Sequence, residues 1–300
     1  MSAKGGYAVE CVWPLGAELG EGPVWVPRDA ALWFVDIKGH RVHRYDPASG
    51  ATNSYEAPDQ VGFVMPVEGG GFIAGLKSGL HRFDPASGAF DLIAEVHPEH
   101  PGNRLNDCGV DAQGRLWFGS MDDGEEEKTG ALYRLEADGR VRRMDEGYCI
   151  TNGPTASPDG KIFYHTDTVE KIVYAFDLAA DGALSNKRIF VRIEDGAGWP
   201  DGSTVDSEGC VWVALFGGGG VRRYGSDGTL LRFVALPCPN VTKIAFGGAD
   251  LRTAYATTAH KGMSQAQRAA HPLAGGLFRF AADAPGLTPH SVRIGTEKFR

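Results

Sequence analysis

Four oxygen-bearing side chains recur at one register of a repeated phrase in this sequence. Asn106, Asn152 and Asp201 each stand eleven residues before the aromatic centre of an apolar triplet, and Glu21 stands twelve before the first such centre. Two carboxylates and two amides offer only oxygen ligands, which suits a hard or borderline divalent cation completed by water. Asx residues also precede strands for a structural reason, because they satisfy backbone groups in turns. Four at one register favour a metal site.

Two further residues near this register have chemistry of their own. Arg104, in the motif NRLND, always carries its charge and can donate hydrogen bonds to a carbonyl or hydroxyl oxygen, although an arginine beside a turn is more often a surface ion-pair former. Asp201 is the expected base, since a metal-bound water loses its proton near neutrality and needs only a weak base. His165 is expected as a second-tier contact.

Other chemistries leave no motif in the chain. There is no G-x-S-x-G elbow, no Walker A loop and no G-x-G-x-x-G after a strand. The five cysteines are odd in number and widely spaced, which indicates small buried thiols rather than disulfides or metal ligands. They are Cys11, Cys108, Cys149, Cys210 and Cys238.

The elements that must position these residues are short strands with a long repeat. Six apolar triplets, such as LWF around Trp33 and VWV around Trp212, are separated by about 40, 44, 46, 49 and 43 residues. Each is followed by a further strand that ends in a polar turn, as in RVHRYDPASG. One such unit alone could be a hairpin in a sandwich, but six in register predict an all-β fold, a six-bladed β-propeller with four-stranded antiparallel blades.

The arrangement of the ring follows from this repeat. The apolar segment from Tyr7 to Leu15 is expected to complete the sixth blade and so close the ring. The four registered residues are expected just before the first strands of blades one, three, four and five, where they converge on the axis. Trp212 is expected to be replaceable by any apolar residue of similar size.

Two segments outside the repeat have their own expectations. Residues 121–130 carry three glutamates and two aspartates, which is typical of a solvated loop and alternatively of a lid over the channel mouth. Residues 263–271 are expected to form a turn or two of helix.

Composition limits the class of protein. The 300 residues are expected to form a single propeller domain, 1–300, with 42 glycines and 17 prolines serving as turn punctuation. A net charge of −8 without a basic run argues against nucleic acid or an anionic membrane as partner. No apolar stretch has the length of a signal peptide or a membrane span, which indicates a soluble cytoplasmic protein. A closed ring has no obligatory edge, so a monomer is expected.

The sequence resembles the SMP-30/gluconolactonase/regucalcin family over roughly residues 15–280. The motifs that carry the resemblance are LGEGPVW, NRLND with VDAQGRLWFGSM, TNGPTASPDGKIFYHTDT and PDGSTVDSEGCVWVA. The resemblance implies that Glu21, Asn152 and Asp201 bind one divalent metal and that Asp201 is also the base. It further implies that Arg104 and Asn106 hold the substrate.

The implied reaction is metal-dependent hydrolysis of a sugar lactone, such as xylonolactone or gluconolactone, to the aldonic acid. The ligand set accommodates calcium, zinc, manganese, magnesium or ferrous iron alike. Two alternatives use the same residues: a non-catalytic calcium-binding regulatory propeller and a propeller phosphotriesterase. Blades two and six offer Val61 or Gly62 and Val241 or Thr242 near the register, so the body of the sugar ring is expected on that side.

Overall fold

The protein is a six-bladed β-propeller, as the sequence predicts. The computed structural model describes residues 7–295, in which the strands form six four-stranded antiparallel sheets. The innermost strand of each sheet contacts the innermost strands of the sheets on either side, and the sixth contacts the first, so the ring is closed. The predicted all-β class and blade number are therefore confirmed.

Each blade is a meander whose first strand lies nearest the axis. Blade one contains β2 (Gly20–Val26), β3 (Ala31–Asp36), β4 (Arg41–Tyr45) and β5 (Thr52–Glu56). Blade two contains β6 (Val61–Pro66), β7 (Phe72–Leu76), β8 (Gly79–Asp84) and β9 (Ala89–Glu95). Blade three contains β10 (Asn103–Val110), β11 (Leu116–Asp122), β12 (Gly130–Leu135) and β13 (Val141–Tyr148).

The second half of the chain repeats this plan. Blade four contains β14 (Thr151–Ala156), β15 (Ile162–Asp167), β16 (Ile172–Leu178) and β17 (Leu184–Arg192). Blade five contains β18 (Trp199–Val205), β19 (Val211–Phe216), β20 (Gly220–Tyr224) and β21 (Leu230–Ala235). Blade six contains β22 (Val241–Gly247), β23 (Thr253–Thr258) and β24 (Leu277–Ala281), with β1 (Glu10–Trp13) as its outermost strand.

The N-terminal strand closes the ring as predicted. β1 pairs antiparallel with β24, so that Cys11 lies opposite Phe278. The indole of Trp13 packs edge-on against Phe34 of the first blade at 5.5 Å between ring centroids. The first and last segments of the chain thus share one sheet, and the seam is also packed against blade one.

The apolar triplets form the second strand of each blade and pack between blades. Trp33 lies 4.5 Å from Phe72 of blade two, and Trp117 lies 4.5 Å from Phe163 of blade four. Trp212 of blade five meets Phe246 of blade six at 5.9 Å. Large aromatic side chains at this repeat position fill the wedge between neighbouring sheets, which explains the long period of the triplets.

The expectation that any apolar residue serves at Trp212 is wrong. Its indole Nε1 donates a 2.8 Å hydrogen bond to Asp206 Oδ2, and both residues are fully buried. Trp117 makes the same bond to Asp111 Oδ2 at 2.8 Å. A phenylalanine at either position would leave a buried carboxylate oxygen without this donor.

All six innermost strands carry a β-bulge at the same height, and this corrects the expected position of the site residues. The register shifts lie between Glu21 and Val24, between Leu105 and Cys108, and at matching places in the other four. Glu21, Asn106, Asn152 and Asp201 therefore lie within the innermost strands at the bulge rather than before them. A bulge redirects side chains, which brings these residues towards the axis.

Three smaller features complete the description of the fold. The five cysteines are free; Cys11 is half-buried and the other four are buried. Helix α1 (Gln265–Ala270) is capped by Ser264, whose side chain forms a capping box with Gln267. Within residues 7–295 no helix is long and apolar enough to cross a membrane.

Candidate functional site

A cavity of about 350 Å³ opens at one mouth of the central channel. Four of its lining residues come from the bulges of the innermost strands, namely Glu21, Asn106, Asn152 and Asp201. The other lining residues include Arg104 and side chains of the loops above the bulges. The structure thus brings together five of the six site residues predicted from the sequence.

Glu21 and Asp201 face each other at the bottom of this cavity. They belong to blades one and five, both are buried, and their carboxyl groups share a hydrogen bond. Burial and the charge of Asp107 raise the pKa of Glu21 to about 7. Burial and the charge of Glu21 raise the pKa of Asp201 well above its usual range. Two buried carboxylates this close hold one proton between them unless a cation compensates their charge.

A chain of hydrogen bonds connects Arg104 to Asn152. Arg104 Nη1 donates to Asn106 Oδ1 at 2.6 Å, and Asn106 Nδ2 donates to Asn152 Oδ1 at 2.9 Å. Asn106 Nδ2 also donates to the backbone oxygen of Thr151 at 2.7 Å, so both of its amide hydrogens are used. Asn106 therefore connects the guanidinium to Asn152 and fixes the orientation of both.

Asn152 presents its amide oxygen in a defined direction. Its Nδ2 donates to Thr168 Oγ1 at 3.0 Å, and Thr168 Oγ1 in turn donates to the backbone oxygen of Pro200 at 2.8 Å. The amide cannot flip without losing the bond to Thr168. Its Oδ1 accepts from Asn106 and retains a second lone pair.

The donor set fits a single hard cation. Two carboxylates that repel each other when ionised lie beside the oriented oxygen of Asn152. Among residues 7–295 no group of three His, Cys, Asp or Glu side chains is placed to hold a metal ion, so a site here needs the amide oxygen and waters to complete its ligands. An oxygen-only set of this kind suits a divalent cation.

A buried ion pair crosses the channel close to Glu21 and Asp201. Lys243, on the innermost strand of blade six, reaches Asp107 of blade three, with 2.5 Å between Nζ and Oδ1. The same ammonium donates to the backbone oxygen of Cys108 at 2.9 Å. Asp107 Oδ2 accepts from the backbone nitrogen of Gly153 at 2.8 Å. The pair spans the axis, and Lys243 lines a second cavity at the opposite mouth.

Ion pairs of the loop after β11 lie at the rim of the cavity. Asp123, in the loop after β11, accepts from Arg104 Nε at 2.9 Å and from Lys38 Nζ at 2.7 Å. These cations lower the pKa of Asp123 although its partial burial opposes the shift. Glu125 of the same loop pairs with Lys261 of blade six, and both line the cavity.

Part of the acidic loop, residues 121–130, therefore contacts the rim of the cavity. Asp123 and Glu125 make these contacts, while Glu126 and Glu127 are exposed and donate backbone hydrogen bonds to Asp122.

The apolar lining of the cavity comes from blades one and three to five rather than from the expected side of Val61 and Val241. It consists of Leu19, Met121, Ile150, Val169, Trp199 and Phe216.

His165 does not line this cavity. It lies on β15 with its ring edge-on to Tyr148 at 4.9 Å between ring centroids, and it is fully buried. Both ring nitrogens lack a hydrogen-bond partner among the described residues. Burial lowers the pKa of His165 to about 3, so the ring is neutral.

Comparison with known proteins places this site in a family. Residues 19–260 match the SMP-30/Gluconolactonase/LRE-like region. The chain belongs to this family. It is 36% identical over 279 residues to a 6-deoxy-6-sulfogluconolactonase of Pseudomonas putida, covering 93% of this chain and 96% of the relative. It is 35% identical over 284 residues to the pentonolactonase XacC of Haloferax volcanii, covering 92% and 96%.

A solved structure superposes on nearly the whole chain. The calcium-binding protein regucalcin from Agrobacterium tumefaciens superposes with a TM-score of 0.93 at 28% identity, covering 98% of this chain and 100% of that one. The family resemblance inferred from the motifs is confirmed by these matches.

Several residues of the site have no clear signal in the sequence. Asp107 directly follows Asn106 in NRLND, and adjacency to the registered position is the signal that could have found it. Lys243 lies in VTKIAFGG, where a lysine among apolar strand residues is its sole mark. Trp199, 47% exposed at the cavity rim, precedes the PDG motif and is a large exposed aromatic side chain of the kind that contacts ligands.

Proposed function

We propose that this protein hydrolyses a sugar lactone, the cyclic ester of an aldonic acid, to the open-chain acid. The observation that carries the proposal is the convergence of a buried carboxylate pair, Glu21 and Asp201, with the guanidinium of Arg104 in one cavity. Its volume of about 350 Å³ lies in the range of about 300–1,000 Å³ common for small-molecule sites. The lactonase names of two relatives support the substrate class.

Glu21, Asp201 and Asn152 would hold one divalent cation. When bound, the cation supplies positive charge for a developing oxyanion and acidifies a water molecule. Calcium is the candidate that the name of the similar regucalcin structure supports. Glu21 and Asp201 both become fully ionised in the presence of that charge, because their mutual repulsion is compensated.

Arg104 would bind the oxygen atoms of the lactone. Its Nε and Nη1 groups are held by Asp123, Asn106 and the oxygen of Leu105. The Nη2 group has no protein partner within residues 7–295 and remains available to a carbonyl or hydroxyl oxygen. The side chains of Trp199 and Phe216 offer an apolar surface to the face of the sugar ring that carries C–H bonds.

Asp201 would act as general base. In its ionised form it takes the proton of the attacking water while Arg104 and Asn106 keep the lactone in place. The acyl–oxygen bond then breaks, and the ring oxygen takes that proton from Asp201 and leaves as the hydroxyl group of the aldonic acid. The buried position of the carboxylate excludes bulk water that would compete for its hydrogen bonds.

The experiment is a pH-stat assay of acid release on a panel of five- and six-carbon aldonolactones. The wild-type protein should accelerate hydrolysis above the spontaneous rate, lose this activity after chelation and regain it on addition of a divalent cation. Asp201→Asn should lose at least about a hundredfold in kcat while keeping its folded structure, since general base catalysis contributes about 10²–10⁴-fold. Tight calcium binding without acid release from any lactone would contradict the proposal and favour a non-catalytic binding protein.

A further inference from the structure

The space below the carboxylate pair is arranged around the Lys243–Asp107 ion pair. In three of the four site strands the residue after the site residue is a glycine: Gly22, Gly153 and Gly202. In the fourth it is Asp107. A Cβ atom on Gly202 would lie 2.5 Å from Lys243 Cβ and Cγ. The glycine next to Asp201 therefore leaves room for the lysine to pass under the site.

Lys243 and Asp107 act on the site through their charges. Lys243 is 5% exposed and Asp107 2% exposed, so water screens neither charge well. Asp107 directly follows Asn106, and its carboxylate accepts from the nitrogen of Gly153, which directly follows Asn152. The ion pair thus contacts the backbone beside two residues of the site.

The sum of the buried charges indicates which cation charge would compensate them. Glu21, Asp201 and Asp107 carry one negative charge each when ionised, and Lys243 carries one positive charge, which leaves these four residues at −2. Asp123, at the rim, pairs with both Arg104 and Lys38 and lies outside this group of four. A net charge in a buried site is costly unless it is paired. One divalent cation brings this set to zero, whereas a trivalent cation leaves it at +1.

We propose that Lys243 sets the charge preference of the cation site by offsetting the charge of one of the three buried carboxylates, Asp107. The proposal rests on the cation site of the proposed function and deepens it. Lys243 is a positioning residue in this role: it contacts neither cation nor substrate and acts through the total charge of the site. Without it the three carboxylates would favour a trivalent cation.

The test is titration calorimetry of metal-stripped protein with Ca²⁺ and with Tb³⁺, which share a preference for oxygen ligands. Lys243→Met keeps an unbranched side chain of similar length and removes the charge. It should bind Ca²⁺ about tenfold more tightly, at the low end of the 10–100-fold effects common for groups behind the ligands. Because Coulomb energy is proportional to the charge of the ion, Tb³⁺ should gain about thirtyfold.

Asp107→Asn changes the charge in the opposite direction. It should weaken Ca²⁺ binding by about tenfold and Tb³⁺ binding by about thirtyfold. The double variant Lys243→Met/Asp107→Asn restores −2 and should return close to the wild-type preference. Lys243→Arg, which keeps the charge, is the matched control. Since the two single changes act in opposite directions, either one that folds, as judged by thermal unfolding, tests the proposal.

The outcomes separate this inference from the proposed function. If wild-type protein binds Ca²⁺ but the ratio of Tb³⁺ to Ca²⁺ affinity is the same in all variants, the role of Lys243 is wrong and the cation site stands. If the wild-type protein binds no divalent cation, both are wrong. A loss of affinity in Lys243→Met for both ions would show a purely structural role and would overturn the inference as well.

Discussion

Asn106 Nδ2 lies 2.9 Å from Asn152 Oδ1, across the boundary between blades three and four. This bond joins the two halves of the site, because Asn106 also accepts from Arg104 and Asn152 is the oriented amide beside the carboxylates. The side chain proposed to bind substrate oxygens and the side chain proposed to hold the cation are therefore positioned together. A change in either one should affect the other.

The first prediction concerns this link. Asn106→Ala removes the acceptor of Arg104 Nη1 and the donor to Asn152 Oδ1 at once. We expect kcat/KM for the lactone to fall by about 10–100-fold, with a parallel loss of cation affinity, as for other groups that orient ligands. Steady-state kinetics and calorimetry measure the two effects. Asn53→Ala, on the exposed outer strand β5, is the control. A lower kcat/KM with unchanged cation affinity would show that Asn106 does not affect the cation site through Asn152.

The second prediction concerns the indole bond between β19 and Asp206. Trp212→Phe keeps most of the packing between blades five and six but removes one of the two donors to a buried carboxylate oxygen. A hydrogen bond to a charged group contributes about 1.5–3 kcal/mol, and because the second donor stays we expect a loss at the lower end of that range. Arg223 Nε still donates to the same oxygen at 2.8 Å, so the protein should remain folded. Denaturant unfolding measures the change in the free energy of unfolding.

A matched variant tests whether the burial of the hydrogen bond determines the loss of unfolding free energy in Trp212→Phe. Trp33→Phe removes the equivalent bond to Asp29 Oδ2, which is longer, 3.1 Å, and partly exposed. It should cost less than Trp212→Phe. Equal losses at the two positions would mean that lost packing, rather than the lost hydrogen bond to the carboxylate, determines the cost.

The repeat pattern in the sequence predicts the blades and the register of the four site residues, but not the details on the axis. The period of the aromatic triplets is predictable because one position per blade must fill the wedge between sheets, as Trp33 and Trp117 do. The bulges are not predictable from the repeat pattern, because they arise where the innermost strands curve around the axis. Lys243 is not predictable from the sequence either, because its partner Asp107 is 136 residues away and meets it only across the closed ring.

The third prediction is a pH dependence of stability caused by His165. The ring has no hydrogen-bond partner among the described residues and burial lowers its pKa to about 3, while an unfolded histidine titrates near 6.5. Between these values the unfolded state binds a proton that the folded state does not. The contribution to stability is therefore complete above about pH 6.5 and is lost as the pH falls, by about 1.4 kcal/mol per unit.

His165→Phe should remove this pH-dependent contribution to the free energy of unfolding. Between pH 6.5 and 4.5 the variant should lose about 2 kcal/mol less unfolding free energy than the wild-type protein, measured by denaturant unfolding at each pH. His43, whose pKa burial lowers to about 4, will keep part of the acid sensitivity in both proteins. His290→Phe, at an exposed position, is the control. An unchanged pH profile in His165→Phe would contradict the assignment of the acid loss to this ring.

The last prediction concerns the closure of the ring. Deleting residues 1–14 removes β1, exposes the edge of β24 and uncovers the pocket in which Trp13 packs against Phe34 and His43. Burying a large apolar side chain contributes about 1.5–3 kcal/mol, and the lost strand also leaves backbone groups of β24 unpaired. We expect at least about 3 kcal/mol of destabilisation and a lower thermal midpoint. Deletion of residues 1–6 alone, which lie outside the described part of the chain, should leave the midpoint unchanged because β1 stays intact. If both truncations melt like the full chain, β1 does not hold the ring closed, and the stability of the propeller must come from the packing between the other blades alone.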